Sequence, residues 1–238
     1  MQETQMELLN ILYNALYEEY DRPREGTHVS DVLLCPRKKC YEKIDPLPLN
    51  NVQLNFFTSG KAIHGALQTL VKKYPHRFEI EKEVKLGELE AHIDIFDKEL
   101  GMPIEAKSAR IADLKEEDLF GRNPDKKKSK IHFVRQLEAY MAMTDSDKGK
   151  ILVQCLLHFG DTPFLEFNHT MTKAQREQTL AKLTADAILL KQAIERKDPN
   201  IARHIAYEEE YNWQCRYCPY AKECEALRTK EREGMFPK

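Results

Sequence analysis

Three strand-like runs in close succession, Phe78–Leu86, Glu90–Phe96 and Met102–Ser108, constrain this chain more than any other feature. The hinge Asp97-Lys98-Glu99-Leu100-Gly101 is short enough to join the last two as an antiparallel hairpin. Ahead of them, Ile63, Ala66, Leu67, Leu70 and Val71 fall on one side of a helix over Ser59 to Tyr74. Behind them come a helix over Ile131–Met143, an apolar strand over Lys150–Phe159 and a partner strand over Pro163–His169, joined across Gly160-Asp161. The order helix, three strands, helix, strand, strand specifies an α/β fold with a mixed-sheet core.

The flanks read as helical additions. Leu9, Leu12, Tyr13, Leu16, Tyr17 and Tyr20 recur at helical spacing, and the stretch from Asp21 to Gly26, with Pro23, ends that helix. Ser30 is the expected N-cap of a short helical segment through Leu34, and Pro36 restarts the chain into Arg37–Ile44 before the Asp45-Pro46-Leu47-Pro48 breaker. Arg110–Lys130 is a charged, turn-rich connection expected to be mobile. Thr172 caps a long helix to Arg196, and the tail from Pro199 is irregular. A chain of 238 residues suits a single domain over 1–238, with a core of about 58–170 and flanking parts 1–50 and 199–238.

Hydrophobic residues at 42% and charged residues at 32% describe a globular chain rather than a disordered one. The net charge of −2 places any nucleic-acid surface in local clusters. No apolar run approaches the ~20 residues that cross a bilayer. The N-terminus carries polar breaks where a secretory leader has an apolar block. Six cysteines without a leader point to metal or redox-inert roles in a reducing compartment, so the cytoplasm is expected.

The chemistry concentrates on the hairpin. Residues two apart on a strand share a face, so Glu105 and Lys107 project together, and Asp94 on the neighbouring strand reaches the same surface. Two converging carboxylates suit a hard divalent cation such as Mg²⁺ or Mn²⁺. A lysine beside them can orient or deprotonate an attacking water, or stabilise charge developing on a phosphate. Taken alone, the triplet also fits a solvated strand face.

Asp94 with Glu105-Ala106-Lys107 resembles the D…E-x-K signature of the PD-(D/E)XK nuclease superfamily, whose fold is restriction-endonuclease-like. Gly60-Lys61-Ala62-Ile63-His64 resembles the G-x-x-x-H helix motif of its RecB-like branch, and Gln136 with Tyr140 its Q-x-x-x-Y motif. Ala91 stands where the family usually has glycine. The resemblance implies a metal site formed by His64, Asp94, Glu105 and the carbonyl of Ala106. Lys107, Gln136 and Tyr140 then complete the catalytic set, and the imidazole shifts preference towards Mn²⁺.

Cys215, Cys218 and Cys224 have the spacing of a metal or cluster site that lacks a fourth ligand, for which Cys35, Cys40 and Cys155 are the candidates. Spacing alone does not separate zinc from iron–sulfur. The context Val29 to Lys38 resembles the N-terminal cluster motif of iron–sulfur RecB-like nucleases. The full set resembles the CRISPR-associated RecB-like exonucleases, the fourth family in the Cas nomenclature. That resemblance implies Cys35 as fourth ligand of a [4Fe–4S] or [2Fe–2S] cluster joining the two flanks. Because free cysteine packs as a small hydrophobe, Cys40 then reads as a helix residue near the cluster and Cys155 as a buried core thiol. It also implies a DNA exonuclease that prefers single strands or overhangs, trimming DNA for spacer acquisition beside the CRISPR integrase. A stand-alone repair nuclease and a DNA-end binding module remain open alternatives. Arg122, Lys126, Lys127, Lys128 and Lys130 are candidate phosphate contacts, and a charge run of this kind fits a solvated loop equally.

Overall fold

The computed structural model describes residues 2–20, 25–109, 115–119, 130–155, 164–206, 208, 212–226 and 229. Side chains are described throughout these except at 2–9, 52, 56, 155, 212 and 213. The elements run α1 (Gln2–Tyr20), β1 (Thr27–His28), α2 (Val29–Leu33), α3 (Pro36–Ile44), α4 (Asn51–Val71), β2 (Phe78–Leu86), β3 (Leu89–Asp97) and β4 (Met102–Ala109). They continue with α5 (Glu116–Leu119), α6 (Ile131–Met143), β5 (Lys148–Cys155), β6 (Phe164–Thr170) and α7 (Lys173–Arg196). Two 3₁₀ turns follow, Pro199–Ile201 and Asn212–Tyr217, giving the tail more local order than an irregular segment.

One mixed α/β sheet of six strands organises the chain. β2 pairs antiparallel with β3 along nearly its whole length, from Phe78↔Asp97 to Leu86↔Leu89. The other edge of β3 is shared. β1 pairs in parallel with Leu89 and Glu90, and β4 pairs antiparallel with Ile95, Phe96 and Asp97. Between those two pairings the edge of β3 opens. β4 continues in parallel against β5, and β5 antiparallel against β6.

The expected hairpin across Asp97–Gly101 is present, and its cause is local. Asp97 is 1% exposed, and its Oδ1 accepts the N–H groups of Glu99 and Leu100 at 3.1 Å each. Arg77 holds Oδ2 at 3.0 Å, and Gly101 supplies the φ of +61° that closes the turn. Behind the sheet, α6 lies across β4 and β5. A Cβ on Gly149 would stand 2.8 Å from Leu137 Cδ1 and Met141 Sδ, so glycine permits that close approach. Leu137, Met141, Ile151 and Val153 form the centre of one buried cluster. Val32, Leu89, Ala91, Ile93, Leu183 and Leu190 belong to a second, under α7.

Two helix starts differ from the sequence reading. α2 begins at Val29 with His28 as N-cap, because the Asp31 carboxylate accepts the His28 N–H at 2.9 Å. A carboxylate in the first turn outcompetes the Ser30 hydroxyl. α4 begins eight residues before Ser59, where Asn50 and Gln53 cap each other: Gln53 N–H donates to Asn50 Oδ1 at 3.0 Å and Asn50 N–H to Gln53 Oε1 at 2.9 Å. The cap at Thr172 forms as expected, with Gln175 N–H on its hydroxyl. Part of the connection 110–130 is ordered as α5, which buries Leu119 completely.

The two flanks meet. Arg37 is 8% exposed and donates to Ala202 O (3.2 Å), Asn200 Oδ1 (3.1 Å) and Asn200 O (3.0 Å). Arg203 returns the contact, donating to Val32 O at 2.7 Å, to Asp186 at 2.8 Å and to Glu208 at 2.6 Å. Tyr41 and Tyr220 stack at 5.2 Å, and each hydroxyl donates to a carbonyl of the opposite segment. α1 by contrast leans on α4 through Tyr17–Asn51, Tyr20–Phe57 and Lys61–Glu19. Among the described residues, no helix is long and apolar enough to cross a membrane.

Candidate metal and nuclease site

The opening in the sheet produces the site. Past Ile95 and Ile104 the β3–β4 ladder stops, and the Asp94 carboxylate takes the Ala106 N–H at 2.9 Å. That bond ties Asp94 to the strand carrying Glu105 and Lys107. His64, on α4, reaches Asp94 Oδ1 with its Nδ1 at 3.5 Å. Lys107 forms an ion pair with Glu105 Oε1 and donates to Gln136 Oε1 at 3.1 Å, and Gln136 Nε2 donates to the Tyr140 hydroxyl at 2.8 Å. Lys107 also lies over the Phe133 ring, at 5.6 Å. The structure therefore brings His64, Asp94, Glu105, Lys107, Gln136 and Tyr140 into one connected set.

The electrostatics follow from burial. Glu105 is 0% exposed, and neither of its carboxylate oxygens receives a hydrogen bond of ordinary geometry. Burial pushes its carboxyl up to about 8, against the pull of the Lys107 charge. Burial also works against the charge on Lys107, but Glu105 and Asp94 outweigh it and hold the ammonium above the ordinary lysine range. The Asp94 hydrogen bond raises His64. Burial, with the nearby carboxylates, keeps the Tyr140 phenol protonated.

A buried carboxylate costs free energy unless something compensates it, and here Lys107 meets Oε1 while Oε2 has no hydrogen bond. A divalent cation held by Glu105, Asp94, His64 and the Ala106 carbonyl would do so, and this donor set fits Mn²⁺ or Mg²⁺. Among the described residues, no three such side chains are already closed around a single point. The fit rests on donor chemistry and on the burial of Glu105, whose Oε2 has no hydrogen bond.

The cysteines converge elsewhere. Cys35 is the N-cap of α3, directly before Pro36. It lines one pocket with Cys215, Cys218 and Cys224, and Cys35 and Cys215 pack against the same buried cluster as Phe133. Burial raises the Cys35 and Cys218 thiols, and the neighbouring cysteines add to both shifts. A metal centre, if bound there, would hold these sulfurs as thiolates in place of their protons. Cys40 is 0% exposed inside α3, and burial pushes its thiol up to about 11. The side chain of Cys155, and Arg122, Lys126, Lys127 and Lys128, lie outside the described residues. Lys130 is the N-cap of α6, its N–H on Asp118 O at 2.7 Å.

Two residues beside the site carry no motif. Gln68 follows His64 by one helical turn and donates to Glu81 on β2. The spacing of Gln68 was visible in the sequence. Glu81, in a strand rich in glutamate, gave no signal.

Among solved structures, the chain is similar to that of SSO0001, at a TM-score of 0.58 and 20% identity, covering 92% of this chain and 97% of that one. A phage-related exonuclease from Haemophilus somnus 129PT matches at a TM-score of 0.46 and 12% identity over 71% of this chain and 83% of its own. LHK-Exo in complex with dAMP matches at 0.48 and 14% identity over 74% and 95%. No curated protein matches the chain significantly. The sequence model of the PD-(D/E)XK nuclease superfamily matches residues 73–225, a span that takes in β2 to β6, α6 and all three C-terminal cysteines of the pocket. By that match over more than half its length, the chain belongs to the PD-(D/E)XK nuclease superfamily.

Proposed function

We propose that this nuclease is a divalent-metal-dependent DNA exonuclease that prefers single strands or overhangs, and that it trims DNA for CRISPR spacer acquisition beside the integrase. The observation that carries the enzymatic reading is Glu105, fully buried with the Lys107 ammonium against it, where Asp94 and His64 also meet. The bound cation supplies Lewis-acid polarisation of the scissile phosphate and acidifies its water. The protein's own residues do the rest. Asp94, fixed by the Ala106 N–H, and Glu105 would hold the cation together with His64 and the Ala106 carbonyl. Lys107 meets the charge that develops on the phosphate, and the Gln136–Tyr140 pair keeps its ammonium aimed there.

The specific substrate and the CRISPR role rest on the sequence resemblance. So does the cluster, which we assign as [4Fe–4S] on Cys35, Cys215, Cys218 and Cys224 of a single domain spanning 1–238. The convergence of these cysteines on one pocket supports it. Lys130 and the basic residues 122–128 are assigned to phosphate contact. The test is end-labelled DNA, single-stranded and duplex, incubated with Mn²⁺, Mg²⁺ or chelator. Progressive shortening of single strands with metal alone is expected. Undiminished cleavage in chelator, or none under any condition, would overturn the reading.

A further inference from the structure

Glu81 stands in the middle of β2 with φ +51°, a left-handed conformation that side chains other than glycine rarely adopt in a strand. The β2–β3 ladder runs through Ile80↔Ile95 and resumes at Lys82↔Ile93. The position skipped between them is Glu81 opposite Asp94. The distortion thus falls at the position that lies opposite Asp94 in the register. A second observation gives it a purpose. Gln68 Nε2 donates to Glu81 Oε1, and Gln68 shares a face of α4 with His64, one turn away. Successive turns of α4 are therefore fastened to neighbouring strands, His64 onto Asp94 and Gln68 onto Glu81. The path of β2 in its regular form would turn Glu81 differently, so the unusual backbone is what presents this acceptor to the helix.

We propose that Glu81 is a positioning residue of the metal site, holding α4 through Gln68 so that the His64 ring stays against Asp94. This rests on the metal-site reading above. Glu81 acts through an acceptor oxygen and not through charge on the cation, which makes the conservative variant informative. Binding of Mn²⁺ alone to the full chain, read from the electron-spin signal of free Mn²⁺, should weaken about tenfold in Glu81→Ala and equally in Gln68→Ala, the lower end of the range for residues that orient metal ligands. The double variant should be no worse than either single one. Glu81→Gln, which keeps an oxygen for Gln68, should bind like the parent, and Glu81→Ala should add nothing in a His64→Ala background. Circular dichroism and thermal melts check that each variant is folded. Unchanged Mn²⁺ binding in Glu81→Ala, with a loss in His64→Ala, would overturn this inference alone. A Glu81→Gln protein as weak as Glu81→Ala would also overturn it, by making the charge the active feature. A parent protein that binds no Mn²⁺ would remove the site and the inference together.

Discussion

The carboxylate–lysine set and the cysteine pocket are assembled in opposite ways. Asp94, Glu105 and Lys107 lie on adjacent strands, oriented before any cation arrives by the Ala106 N–H, Gln136 and Tyr140. The cysteines come from two segments far apart in sequence, drawn together by Arg37, Arg203 and the Tyr41–Tyr220 stack. The first region is a geometry waiting for a ligand. The second is a docking junction in which the proposed centre and the fold would support each other. Loss of metal should therefore silence the first region and loosen the second.

The largest effect should come from Asp94→Ala, Glu105→Ala and Lys107→Ala. Cleavage by the two carboxylate variants should fall to background, and that by Lys107→Ala by roughly a hundredfold to a thousandfold, with melting temperatures near the parent's. Full activity in any of the three would dismantle the site. Next comes the cysteine pocket. Cys35→Ser, Cys215→Ser, Cys218→Ser and Cys224→Ser should lose visible absorption and melt roughly 10 °C lower, because a bound centre stabilises only the folded chain. Cys40→Ser should keep its colour, since Cys40 is buried inside α3 away from the pocket lining. Stoichiometric zinc in anaerobically purified protein would replace the cluster and leave the nuclease reading standing.

Arg37→Ala sharpens the comparison by attacking the junction without touching a cysteine. It strips donors from two carbonyls and the Asn200 side chain, and should cost about 2–4 kcal/mol in denaturant unfolding. A loss under about 0.5 kcal/mol would assign the docking to the metal centre alone.

A smaller effect separates the regions by pH. Protonated Glu105 suits its buried position, so its contribution to stability is complete below the ordinary carboxylate value of 4.5 and is lost as pH rises towards about 8. In chelator, the parent should melt progressively lower across that window, and Glu105→Gln should show a flatter profile. Added Mn²⁺ should restore the parent most at the alkaline end. A parent profile parallel to that of Glu105→Gln would contradict the burial argument. The smallest effect belongs to the basic run. Neutralising Lys126, Lys127, Lys128 and Lys130 should flatten the salt dependence of DNA binding by roughly 0.7 in log–log slope for each phosphate left without its lysine. An unchanged slope would make the run a solvated loop.

What the sequence disclosed follows the range of the forces involved. The hairpin was legible because alternation and a five-residue hinge are local, and Asp94, Glu105 and Lys107 came with it. His64, Gln136 and Tyr140 were visible as spaced motifs on helices. The start of α4 was legible in principle, as Asn50 and Gln53 form a reciprocal cap, but this pair lay outside the apolar periodicity used to find the helix. Glu81 was not legible at all. Its backbone conformation depends on a ladder that exists only once β2 and β3 have paired. Nor were Arg37 and Arg203, half of whose named acceptors are main-chain carbonyls that carry no residue identity.

The reciprocal arginines also set a timetable. Arg37 and its acceptor at Ala202 are separated by 165 positions, so at a synthesis rate of about 5–20 residues per second the first waits roughly ten to thirty seconds for the second to be made. Every residue of the carboxylate–lysine set, from His64 to Tyr140, is translated within that interval. The nascent chain therefore carries the parts of its cutting site before the junction can close, and the proposed cysteine-bound centre would have to be delivered last.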